Sequence, residues 1–133
     1  MTLEESIHIG RAPEFVFAIV RDLERAPEWQ GSLESVDVEK GTEVRRFAGR
    51  RQDAKFFIVE DEPPRRFAIR SEGGPAEARA SFDLRPEGDG TLVLLALDVK
   101  LRGAARFARA MVKPAAEREA KRSLERLKEL AEA

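Results

Sequence analysis

Residues 7–33 read IHIGRAPEFVFAIVRDLERAPEWQGSL. The period of this stretch changes as it is read. In LEESIHI at 3–9, Leu3, Glu5, Ile7 and Ile9 share one face of a strand, and Glu4, Ser6 and His8 share the other. His8 is therefore expected on the surface. Gly10 ends the strand. Pro13 then fits a first helical turn, where its missing N–H costs nothing. Glu14 complements the positive end of that helix. Phe15, Val16, Ile19 and Val20 are spaced as one apolar stripe. Asp22 suits the cap of a second short helix, and Pro27 limits its length. Trp29, the only tryptophan, follows.

Downstream, the text from 33 to 101 predicts six strands: 33–40, 43–48, 51–61, 65–71, 76–85 and 91–101. Gly41-Thr42, Pro63-Pro64, Gly73-Gly74-Pro75 and Pro86 to Gly90 are the turns between them. This spacing predicts an antiparallel meander. Ala78, Ala80, Phe82 and Leu84 alternate cleanly with Glu77, Arg79, Ser81 and Asp83. Strand 91–101 and the run FFIV at 56–59 are apolar on both faces. A half-exposed antiparallel strand alternates, so strong curvature or a partner subunit is expected to cover the second face.

Residues 104–133 read as helix, supported by the i, i+4 pairs Glu117–Lys121 and Lys121–Glu125. Phe107 and Met111 lie on one side of that helix, and Leu124, Leu127 and Leu130 lie roughly 100° or more away. One straight helix cannot bury both sets. A break at Lys113-Pro114 is predicted, because a residue before proline avoids the α region. It would separate a short helix, 104–112, from a long one, 114–131.

The chain has 133 residues and a net charge of −1. It is read as a single domain over 1–133. The absence of cysteine excludes disulfides and thiolate metal sites, and a single histidine excludes a multi-histidine cluster. No cofactor and no metal are expected. Residues 1–39 hold three basic and nine acidic side chains, and residues 102–133 hold nine basic and five acidic. A near-neutral total argues against nucleic acid as partner. The local exception is Arg45, Arg46, Arg50 and Arg51 around Phe47. It is read as a solvated strand edge, with phosphate or RNA contact as the alternative. No apolar run reaches the length of a membrane helix, so no stable membrane insertion is expected. The opening residues lack a basic secretory leader. A cytoplasmic location is expected.

Catalytic chemistry is thinly represented. No serine sits in a nucleophile elbow, no glycine pattern resembles a phosphate loop, and no catalytic residue is assigned. Asp98 interrupts an apolar strand and would serve as a base only if buried. Arg106 and Arg109 flank Phe107 and Met111, either to hold a ligand carboxylate or as a solvated helix face.

The order strand, two short helices, six strands, long helix resembles the START-like, or SRPBCC, superfamily, in its polyketide cyclase/dehydrase and lipid-transport branch. Pro13-Glu14-Phe15-Val16, Asp22 and Trp29 stand where that family has its helix-opening motif, its acidic residue and its tryptophan. EDEPPRRFAIR at 60–70 and SLERLKELAEA at 123–133 resemble its middle connection and terminal helix. The resemblance implies an α+β helix-grip fold: a curved seven-stranded antiparallel sheet wrapped around a long C-terminal helix, with two short helices between strands 1 and 2. It implies a small apolar molecule, lipid- or polyketide-like, as partner in a cavity between sheet and helix. The expected contacts are Val16, Ile19, Val20, Trp29, Phe67, Phe82, Leu95, Leu97, Phe107 and Met111, with Trp29 and Phe107 near the opening. Two other readings stand beside it. One is a cyclase/dehydrase enzyme, which two or more inward polar groups within hydrogen-bond reach would favour. The other is a protein-interaction module using the sheet face, with a homodimer as one form of it.

Overall fold

A computed structural model describes residues 1–47 and 49–133, Phe47 by its backbone alone. Strand β1 (Thr2–Ile9) leads into helix α1 (Pro13–Arg21) and a 3-10 helix, Leu23–Glu28. Six strands follow: β2 (Leu33–Asp37), β3 (Thr42–Phe47), β4 (Arg50–Glu62), β5 (Arg66–Gly73), β6 (Ala76–Glu87) and β7 (Gly90–Leu101). A second 3-10 helix, Gly103–Ala108, runs into helix α2 (Arg109–Glu132). Ala48, the predicted end of the third strand, lies outside the described residues, as does the side chain of Phe47.

The seven strands form one antiparallel sheet in the order β1-β7-β6-β5-β4-β3-β2. The meander from β2 to β7 is the one the turn residues predict. β1 closes the far edge by pairing with β7, Thr2 opposite Asp98 and Ile9 opposite Thr91. The register shifts in β2 after Leu33 and in β4 after Ile58. Such irregularities bend a sheet, which curves here around α2.

Pro13 opens α1 and Glu14 sits in its first turn, as expected. The buried stripe is Val16, Phe17, Ile19 and Val20. Phe15, expected in that stripe, is exposed beneath the Arg11 guanidinium, 3.5 Å from its ring centroid. Phe17 replaces it and stands edge-on to Phe67 at 6.2 Å. Asp22 occupies the cap position of the first 3-10 helix, but its side chain makes no capping hydrogen bond.

The C-terminal helix departs from expectation. Its break falls at Ala108/Arg109, and Pro114 lies inside α2. A proline this near the N-terminus forfeits one intrahelical hydrogen bond. The swing of the apolar face is resolved differently from the prediction: Phe107 and Met111 are left in solvent. Only Ala116, Ala120, Leu124, Leu127 and Ala131 of α2 join the core. That one-sided contact needs no kink.

The outer face of the sheet is covered from within the chain only in part, and Phe57 stays 40% exposed. The Arg70 guanidinium lies 4.8 Å from the Phe57 ring centroid. Arg66 and Arg79 both reach Glu60, at 2.9 and 3.1 Å, and Arg66 also reaches Asp83 at 3.6 Å. The aliphatic stems of such residues lie on apolar surface while their heads stay in water. Leu92 and Leu94 are half-buried there. His8 is exposed, with Nδ1 2.7 Å from Glu87 Oε1.

The end of α2 is stapled to the end of β1 and the connection that leads into α1. Glu132 Oε2 accepts the Gly10 N–H at 2.8 Å and Lys128 Nζ at 2.6 Å. Lys128 also donates to the His8 carbonyl at 2.9 Å, and Arg11 Nη1 to the Ala131 carbonyl at 3.1 Å. The Gly10 amide, aided by Lys128, holds the Glu132 carboxyl below its ordinary range. Arg21 does the same to Asp61 through a hydrogen bond and charge. Groups with a lowered folded-state pKa stabilise the protein above their unfolded value and lose that contribution as pH falls through the folded one. Urea midpoints are therefore expected to fall as pH is lowered from about 5 toward 2. Glu132→Gln should flatten part of that fall, read from urea melts across the same pH range. An unchanged slope in this variant would remove Glu132 from the account.

Candidate functional site

The sheet face turned toward α2 has two parts. Near α1 it is packed. Val16, Ile19 and Val20 meet Trp29, Phe67, Phe82 and Leu95 in one buried cluster that also takes in Leu124 and Leu127. The Trp29 ring stands edge-on to Phe82 at 5.7 Å and 75°. Farther along the same face, Ile69, Ala80 and Leu97 form one cross-strand row, and Ser71, Ala78 and Val99 form the next. Ile69, Ser71, Ala78, Ala80 and Leu97 are only half-buried, although they lie on the inward face of the sheet. The small side chains Ala78 and Ala80 sit between larger neighbours and leave that surface accessible.

A chain of polar groups borders this strip. Glu43 pairs with Ala54 across β3 and β4, on the inward face, and is 5% exposed. Its Oε1 accepts the Ser71 hydroxyl at 2.5 Å, and its Oε2 accepts Arg45 Nη2 at 3.0 Å. Arg45 also donates to Ser32 Oγ at 2.8 Å and to Gln30 Oε1 at 3.3 Å. The Ser32 N–H donates to Glu119 Oε1 at 2.9 Å, which also accepts Ser123 Oγ at 3.3 Å. The chain of contacts thus runs from β5 through β3 and the turn before β2 to α2. Burying a carboxylate is costly unless it is paired and hydrogen-bonded. Glu43 meets both conditions.

Trp29 Nε1 does not share this satisfaction. The residue is 1% exposed, and its N–H is the one buried side-chain donor or acceptor without a partner among the described residues. An orphaned buried donor costs about 1–3 kcal/mol.

Seven of the ten expected contacts, Val16, Ile19, Val20, Trp29, Phe67, Phe82 and Leu95, come together in the packed cluster. Leu97 lies in the accessible row. Phe107 and Met111 stand apart from the interior, on the outer side of the chain entering α2. A groove of about 690 Å³ there is lined by Arg106, Phe107, Arg109, Lys113, Pro114 and Glu117. A second groove, of about 260 Å³, is lined by Gly31, Ser32, Arg46, Arg118, Glu119 and Arg122. It shares Ser32 and Glu119 with the polar chain and so reaches that chain from outside. Asp98 is exposed on the outer face, with Thr2 Oγ1 3.5 Å from its Oδ1.

The basic run of β3 and β4 does not sit on a sheet edge as expected, because β2 flanks β3. Arg46 pairs with Glu34 at 2.7 Å and Arg51 with Asp53 at 3.6 Å, while Arg45 turns inward. Glu43 was missed by sequence reasoning. In TEVRRF, Glu43 and Arg45 share one face and Thr42, Val44 and Arg46 the other, and charge alone points neither face inward. The available signal was Ala54 and Phe56 in β4, which mark the buried face opposite Glu43.

Chemically, the arrangement offers an apolar strip, a tethered carboxylate and guanidinium, and one free indole donor. Among the described residues, no group of three or more histidine, cysteine, aspartate or glutamate side chains is placed to hold a metal ion. No helix among the described residues is long and apolar enough to cross a membrane.

A family model described as polyketide cyclase / dehydrase and lipid transport matches residues 1–132. The chain belongs to this family. The family resemblance read from the sequence is thereby established. No curated protein matches in sequence. Solved structures similar to this family member include TTHA0849 from Thermus thermophilus, at 23% identity and TM-score 0.83, covering 98% of this chain and 97% of that one. A START superfamily protein from Mycobacterium smegmatis follows at 17% identity and TM-score 0.82, again covering 98% and 97%. The Zhui aromatase/cyclase from Streptomyces sp. R1128 superposes at 15% identity and TM-score 0.83, covering 99% and 93%. At these identities the likeness is one of fold. The seven-stranded antiparallel sheet around a long C-terminal helix is the helix-grip architecture that this family member was expected to have.

Proposed function

We propose that this polyketide cyclase/dehydrase and lipid-transport family member binds a small, mainly apolar molecule, lipid- or polyketide-like, between the sheet and α2. The observation that carries this reading is the half-buried row Ile69, Ala80 and Leu97, which continues the inward face beyond the packed cluster. Apolar surface that lies on an inward face and stays accessible is the form a small-molecule site takes, with a few polar groups to fix orientation. Ile69, Ala80 and Leu97 would contact the ligand body, and the adjacent packed row Phe67, Phe82 and Leu95, with Trp29 against it, would close the site on that side. Val16, Ile19 and Val20 would back that wall from α1. The unpartnered Trp29 N–H supports a ligand that carries a hydrogen-bond acceptor.

The enzyme reading gains one specific observation. Glu43, Ser71 and Arg45 are inward polar groups within hydrogen-bond reach of one another. Both Glu43 oxygens are engaged, so the group is better suited to hold a ligand's polar end than to attack it. Cyclisation of a flexible chain gains mostly from holding it in a reactive shape, and this site would supply that.

The test uses Trp29 as reporter. Titration with fatty acids and polyaromatic compounds is expected to give a saturable change in Trp29 emission for at least one class. Ala80→Phe should abolish that change while leaving the far-UV spectrum intact, because it fills the row. The proposal fails if no compound gives a saturable response and native mass spectrometry of the purified protein finds no bound small molecule.

A further inference from the structure

Phe107 and Met111 are 81% and 80% exposed, whereas the next most exposed large apolar residue among the described residues, Ile58, is 47% exposed. They are one helical turn apart, where the second 3-10 helix passes into α2. Ala108 and Val112, each one residue further on, are half-buried against the body of the protein. The apolar side chains therefore point outward on a segment that is anchored on its other side. The segment LRGAARFARAMVK at 101–113 holds Arg102, Arg106, Arg109 and Lys113 and no acidic residue. Arg102 pairs with Glu77. Among the described residues, Arg106, Arg109 and Lys113 form no ion pair with a carboxylate. The Arg106 guanidinium lies 5.4 Å from the Phe107 ring centroid, so charge and ring project together. Glu117 also lines the groove.

We propose that this turn docks on an anionic lipid bilayer surface, with Phe107 and Met111 entering the interfacial region and Arg106, Arg109 and Lys113 on the headgroup phosphates. A bilayer fits better than a protein partner on two counts. Two protruding side chains offer on the order of 300 Å², against the ~800 Å² per partner of a stable protein interface. Unpaired cations interleaved with apolar side chains are also the pattern by which a peripheral segment reads negative lipid. Adsorption of this kind is reversible and spans nothing. It places the start of α2 on the membrane and does not depend on what the interior binds.

The full chain is mixed with vesicles of phosphatidylcholine, with and without phosphatidylglycerol, and sedimented. It is expected to sediment with the anionic vesicles, to stay in solution with the neutral ones, and to be released by high salt. Phe107→Ser with Met111→Ser should lower partitioning about 10-fold or more. Arg106→Ala, Arg109→Ala and Lys113→Ala together should lower it on the order of 100-fold. All five side chains are exposed, so each variant should melt with the parent. No sedimentation with anionic vesicles overturns the proposal, and a protein partner becomes the better reading of the surface. Undiminished binding by the serine variant overturns it as well.

Discussion

Phe82→Ala is expected to destabilise the protein by about 3–5 kcal/mol. Phe82 lies mid-strand in β6, between Phe67 and Leu95, with the Trp29 ring against its edge. It is almost fully buried. Truncation removes the transfer energy of the ring and leaves a void that strands on both sides prevent from closing. The effect is read as a fall of roughly 10–20 °C in the melting temperature, followed by far-UV circular dichroism. The void would lie against the indole, so benzene, which enters engineered apolar cavities, should restore part of the lost stability and alter Trp29 emission. A loss below about 1 kcal/mol would mean that the packed part of the interior is already slack at this position.

Arg45→Ala is expected to cost about 3 kcal/mol, because removing one partner of a buried pair strands the other charge. The stranded group is Glu43, 5% exposed, left with Ser71 alone. Ser32 Oγ and Gln30 Oε1 lose a donor in the same step. Part of the loss is offset by the solvent that already reaches Arg45. The decisive comparison is Glu43→Leu combined with Arg45→Leu. Replacing a buried pair by apolar residues of similar size is often neutral or stabilising, so the double variant should be more stable than Arg45→Ala. A double-mutant cycle by urea denaturation measures the coupling. If the two changes add without coupling, the pair is not a buried unit. Under the proposed function, the double variant should also lose any preference for ligands with a polar end while still binding apolar ones.

The parts of this molecule that were legible in the sequence are those set by local pattern. Alternation in 3–9 and 76–85 predicts β1 and β6, Pro13 predicts the start of α1, and the Gly-Pro turns predict the meander. The helix break and the polar chain were illegible for a different reason. The predicted kink at Lys113-Pro114 assumed that every large apolar side chain in 104–131 is buried. The chain instead exposes Phe107 and Met111, so the geometric conflict never arises. Glu43 and Arg45 lie in a strand whose two faces carry similar charge. Only the register against β4 tells which face is inward, and register is a property of two segments. Arg70 over Phe57 is hidden from single-strand patterning in the same way, since the arginine comes from the neighbouring strand.

The pairing of β1 with β7 has a kinetic consequence. Met1 and Val99, 98 residues apart in sequence, bond to each other through the N-terminal amine and both backbones. During synthesis the first strand therefore waits for the last before it has a neighbour, and distant pairings of this kind slow folding. A lone strand with Ile7 and Ile9 is open to wrong pairing in that interval, and charges within a strand, such as Glu4 and Glu5, oppose such association.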